Sequence, residues 1–82
     1  MPNKADVLRQ IAECDQLGVP AFLAKYANGR GSRTTWIDYA GREYPIKAIW
    51  ASAHSPAIPP RSFKTNDAEP ELKRLGFSVI KR

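Results

Sequence analysis

At Pro45 the hydrophobic pattern of this chain changes period, and that change constrains the fold more than any other feature. Upstream of it, Trp36, Ile37, Tyr39 and Tyr44 flank the turn residues Ala40-Gly41-Arg42. This reads as a short hairpin with strands near Thr34–Tyr39 and Arg42–Pro45. Downstream, Ile46, Ile49, Trp50 and Ala53 fall at i, i+3, i+4 and i+7, the apolar face of a helix running from about Pro45 to His54. A chain that passes from sheet to helix within one residue must stack the two, so the run 34–54 already calls for a mixed α and β core.

The flanking segments supply partners for that unit. Asn3 with Asp6 three residues on marks a helix start, and Val7, Leu8, Ile11, Cys14 and Leu17 form its apolar stripe up to a stop at Gly18. Pro20 suits the first turn of a second, short helix. Phe22, Leu23 and Tyr26 mark its inner face and Asn28-Gly29 its end. After the third helix, Ser55-Pro56 stops the chain and Ile58-Pro59-Pro60 is extended, because each proline restricts its predecessor. Phe63 anchors this linker. Thr65-Asn66-Asp67 offers caps for a fourth helix, which tolerates Pro70 only in its first turn. Leu72 and Leu75 point inward, Gly76 terminates, and Phe77–Ile80 forms a last strand added to the hairpin. The expected order is ααββααβ, an α+β fold with helices on one face of a three-stranded antiparallel sheet.

Eighty-two residues suffice for one domain, here 1–82, with a modest core. The single cysteine excludes an internal disulfide framework and a Cys-based zinc site, and its helical spacing from Val7 and Ile11 makes it a core residue. A lone histidine without a carboxylate cluster gives no metal site, and no cofactor is implied. Absence of a long apolar run or a signal-peptide pattern predicts a soluble, cytoplasmic protein away from membranes. Net charge is +5, unevenly distributed. Residues 1–27 are neutral, residues 65–82 carry +1, and residues 28–64 carry +4 from Arg30, Arg33, Arg42, Lys47, Arg61 and Lys64 against Asp38 and Glu43. A basic stretch of this kind draws polyanions by steering and counterion release. Its competing reading is a solvated surface.

Four segments carry a resemblance to a known family. They are Ile11–Gly18 (I-A-E-C-D-Q-L-G), Phe22–Tyr26 (F-L-A-K-Y), Gly41–Ile49 (G-R-E-Y-P-I-K-A-I) and Leu75–Val79 (L-G-F-S-V). In this order and spacing the chain resembles the N-terminal head domain of McrA-like, type IV HNH restriction endonucleases and related HNH-associated proteins. The resemblance implies a DNA-associated domain used in recognising foreign or modified DNA ahead of a nuclease. It carries over one polar position, Lys47. Two departures matter. The sequence stops at Arg82 without an HNH motif, so cleavage is not carried over. Phe63 is followed by Lys64-Thr65-Asn66 where the family often has a glycine pair.

The candidate nucleic-acid contacts are Arg30, Arg33, Arg42, Lys47, His54 and Trp36. Asn28–Arg33 combines two glycines with two arginines, able to converge amides and guanidinium forks on an anion. It lacks the Lys-Ser/Thr pair of a nucleotide-binding loop. Lys47 and His54, seven apart on one helix, leave Ala51 between them as an approach for a phosphate or flat ligand. The competing roles are a solvated charge for Lys47 and a C-terminal dipole cap for His54. Trp36 and Tyr39 differ in strand parity, so at most one faces the core, and an exposed aromatic could stack on a base. No Ser/His/Asp or Cys/His constellation appears, so a non-catalytic protein is expected. Three functions compete: a DNA-binding module of restriction-system type, an adaptor that docks a separately encoded partner such as a nuclease, and a stress or toxin-system protein whose basicity is incidental.

Overall fold

The computed structural model describes residues 2–26, 35–54, 58 and 63–81. Seven elements follow in the expected order: α1 (Lys4–Leu17), α2 (Val19–Tyr26), β1 (Thr35–Tyr39), β2 (Arg42–Pro45), α3 (Ile46–Ala53), α4 (Thr65–Arg74) and β3 (Ser78–Lys81). The loop at 28–33, with Arg30 and Arg33, lies outside the described residues, as do the Ser55-Pro56 stop, Pro59-Pro60 and Arg61.

α1 begins as its sequence demands. The Asn3 side chain accepts the Asp6 N–H at 2.9 Å and the Asp6 carboxylate accepts the Asn3 N–H at 3.0 Å, a reciprocal capping box. Gly18, at φ 86°, ends the helix, its N–H donating to the Cys14 carbonyl at 2.8 Å. Val7, Ile11 and Cys14 are buried, but Leu17 is 43% exposed. At 100° per residue Leu17 stands about 90° round from the centre of that stripe, and α1 ends before another turn can bring the stripe back. The expectation that it belonged to the core is corrected. In α2, Phe22 is fully buried with the Tyr26 ring 4.8 Å away.

The hairpin turns on Ala40 (φ 53°) and Gly41 (φ 79°), two positive values that match the twist of a two-residue connection. Arg42 is therefore the first residue of β2, opposite Tyr39, and not part of the turn. β1 is the central strand, antiparallel to both neighbours, in the order β2-β1-β3. Alternation sends Ile37, with its partners Tyr44 and Val79, toward the helices. Trp36, paired with Pro45 and Ile80, goes to the other side.

α3 departs from the one-sided helix its stripe suggested. Ile46, Ala48, Ile49, Trp50, Ala51, Ser52 and Ala53 are all buried, leaving only Lys47 half-exposed. It touches α1, α2, α4, β1 and β2, so it is the hub of the core. The chain also returns over its C-terminal half, where the Ile58 N–H donates to the Ala51 carbonyl at 3.1 Å. Ala51 is fully covered and offers no approach between Lys47 and His54, which corrects that expectation. Phe63 packs half-buried against the same core, as an anchor should.

α4 is capped from within: Asp67 accepts the Lys64 N–H at 3.0 Å. Pro70 is its sixth residue, beyond the first turn where it was expected. Its missing N–H removes the i−4 helical partner of the Asn66 carbonyl, at a place where both residues are exposed. The helix closes in a Schellman arrangement. Gly76 (φ 98°) donates to the Lys73 carbonyl at 3.0 Å and Phe77 to the Leu72 carbonyl at 3.1 Å. Leu72 and Phe77 are both buried, and the strand starts one residue later than expected, at Ser78. Glu69, 8% exposed, pairs with Lys73 of its own helix at 2.9 Å and ties α4 to β3 through Lys81 at 3.1 Å. The hydrogen bond from Lys73 is the main reason its carboxyl titrates below the usual range.

Candidate nucleic-acid interface

The hairpin places Arg42 and Tyr44 two residues apart on β2, hence on one face of the sheet. Both reach the same atom of α1. The Tyr44 hydroxyl donates to Asp15 Oδ1 at 2.8 Å and Arg42 Nη1 stands 3.3 Å from it. Burial, then the bond to the Asp15 carboxylate, pushes the Tyr44 phenol from its ordinary 10.0 to about 12. Arg42 is thus held by a carboxylate in the free protein. Nothing in the sequence announces this, because the two residues are 27 apart.

Lys47 differs from Arg42. Its ammonium lies 5.6 Å over the Phe63 ring, a cation–π contact, and it has no carboxylate partner among the described residues. Lys64, next to Phe63 in the chain, is exposed and likewise lacks an ion pair among the described residues. It was not among the candidate contacts.

His54 is the C-cap of α3, with Nδ1 2.7 Å from the Trp50 carbonyl and its ring edge-on to the indole at 5.3 Å. A carbonyl only accepts, so Nδ1 carries the proton and Nε2 is the nitrogen left for other contacts. This is the helix-capping arrangement.

Trp36 is half-buried on the outer sheet face. The next pair along that face is Asp38 opposite Glu43, with Ser78 across from Asp38 on β3. Two carboxylates therefore stand side by side where the net charge of residues 28–64 suggested a basic surface. The pairing was legible, since a two-residue turn at 40–41 sets 38 against 43.

Among the described residues the candidates are spread out and do not converge on one point. Trp36 on β1 pairs with Pro45 at the end of β2, and Lys47 follows Pro45 by two residues on α3. Arg42 is three strand residues before Pro45, about 10 Å away. Lys47 and His54 are seven helical residues apart, again about 10 Å. Arg30 and Arg33 fall outside the described residues. Among the described residues no group of three or more His, Cys, Asp or Glu could hold a metal ion. No described helix is long and apolar enough to cross a membrane.

No curated protein matches this chain. The solved structure of the Type IV phosphorothioation-dependent restriction endonuclease ScoMcrA is similar to it with a TM-score of 0.75 and 30% sequence identity. That match covers 99% of this chain and 13% of the other, so the chain spans about one eighth of the relative. The family model for the ScoMcrA-like N-terminal head domain matches residues 3–81. With the element order, the hairpin-to-helix junction and the α4 stop in place, the chain belongs to the ScoMcrA-like N-terminal head-domain family.

Proposed function

We propose that this chain is a non-catalytic DNA-binding module of a restriction or defence system, acting through phosphate contacts from its hairpin and α3. In this reading residues 1–82 act as one head-like unit. The observation that carries it is family membership with the head of a restriction endonuclease, joined to a Lys47 that has no carboxylate partner among the described residues. Lys47 and Arg42 supply phosphate contacts, with Arg30 and Arg33 joining them on sequence grounds. His54 offers Nε2, and Trp36 an indole face near Pro45. The nuclease activity named for the relative is not transferred, since the match covers 13% of that protein.

A salt titration on single-stranded, duplex and modified DNA tests the proposal. Three or four phosphate contacts give a slope of about −3 for log affinity against log salt. Arg33→Ala, Arg42→Ala and Lys47→Ala each reduce that slope by about one and weaken binding to all sequences alike. Lys4→Ala is the control, because that ammonium lies against Gly76 at the C-terminal end of α4. Equal effects from all four variants would reduce the binding to general attraction by a basic protein.

One observation favours a second reading, an adaptor for a separately encoded protein such as a nuclease. The outer sheet face places half-buried Trp36 two residues from Asp38 on β1, an aromatic and acidic surface suited to a protein segment. Absence of DNA binding even at low salt would put this reading first.

A further inference from the structure

The two bonds on Asp15 Oδ1 differ in strength and in purpose. Tyr44 is 3% exposed, and its hydroxyl donates at 2.8 Å from the edge of the core. The Arg42 and Asp15 side chains are 71% and 42% exposed, so their 3.3 Å pair is a weak one. Tyr44 alone can therefore hold the carboxylate and keep the hairpin docked on α1. Arg42 can leave without unmaking that contact. Its guanidinium has five donors in a planar fork, yet it meets Asp15 through a single nitrogen and a single oxygen. A phosphodiester with two anionic oxygens matches the fork better.

We infer that Asp15 is a resident competitor for the phosphate that Arg42 takes, an affinity-setting residue on α1 that holds the guanidinium in the free protein and yields it to a nucleic-acid backbone. This rests on the DNA-binding reading above. Asp15 gives that reading a threshold: an anion must outcompete a pre-placed carboxylate before the hairpin contributes to binding. Lys47, which sits over a ring and has no carboxylate partner among the described residues, has no such threshold.

The test is a double-mutant cycle of Asp15→Asn and Arg42→Ala on duplex DNA of one sequence at low salt. Asparagine keeps an oxygen for the Tyr44 hydroxyl, and a thermal melt checks that the fold is retained. Asp15→Asn is expected to tighten binding about two- to fivefold, the range that loss of an exposed ion pair allows. In the Arg42→Ala background the same change is expected to have little effect. An equal gain in both backgrounds would mean that Asp15 acts only through net charge, and a loss of affinity would mean that it orients Arg42 productively; either overturns the inference. A parallel titration with inorganic phosphate, following the Arg42 side-chain N–H resonance by NMR, separates this inference from its parent. If DNA fails to bind yet Asp15→Asn still lowers the phosphate midpoint at Arg42, the DNA reading falls and the competition stands. If neither responds, both fall.

Discussion

Trp50 is a large side chain buried at the hub of this molecule. It is 4% exposed on a helix that touches every other helix and the hairpin, and its indole carries the edge of His54. Trp50→Ala should cost about 3–5 kcal/mol, because a small core cannot collapse around the space an indole leaves. A denaturant midpoint close to the parent's would show that the indole contributes little to packing. Residues of this kind were readable in advance: Val7, Ile11, Cys14, Phe22, Ile49, Trp50 and Leu72 follow their periods and are buried. Leu17 and Ala51 were not. One depends on where α1 stops, and the other on a chain segment that returns at Ile58. Periodicity describes one element in isolation, whereas burial is decided by what packs against it.

The elements whose ends carry special chemistry were the ones legible at element scale. α1 has a capping box at Asn3 and a positive-φ glycine at Gly18, and α4 closes on Gly76. Asn3→Ala removes the side-chain acceptor for the Asp6 N–H and should cost about 1 kcal/mol. For a domain of this size that lowers Tm by roughly 4–8 °C, readable in a thermal melt. An unchanged Tm would mean that packing of Val7 and Ile11 alone sets the start of the helix. Pro70 shows the limit of this kind of reading. The propensity argument placed it in a first turn, yet exposure lets a helix accept it one turn later. At the candidate site, the facing of Asp38 and Glu43 followed from the turn, while the Asp15–Arg42–Tyr44 contact required α1 to be docked first.

At the scale of the whole molecule, charge and titration depend on contacts between elements that are remote in sequence. Tyr44 is raised from 10.0 to about 12, so the fold favours its neutral form. That contribution is complete below pH 10.0 and is lost as the pH rises to about 12. Tyr26, raised chiefly by burial, and Lys25, raised chiefly by its bond to Glu13, act in the same sense. Stability measured by chemical denaturation should therefore fall across this window, and Tyr44→Phe should make the fall shallower; an identical slope would place the titrating group elsewhere. The sheet has a consequence of another kind. The β1–β2 ladder is local, with Tyr39 facing Arg42 across a two-residue turn, whereas the β1–β3 ladder joins Thr35 to Lys81. Two helices and a proline-bearing linker separate those partners along the chain, so closing the second ladder carries a much larger loop entropy than closing the first. The hairpin can therefore form from local contacts alone, whereas β3 reaches the edge of β1 only by closing the long loop from Thr35 to Lys81, so its pairing is expected to follow that of the hairpin.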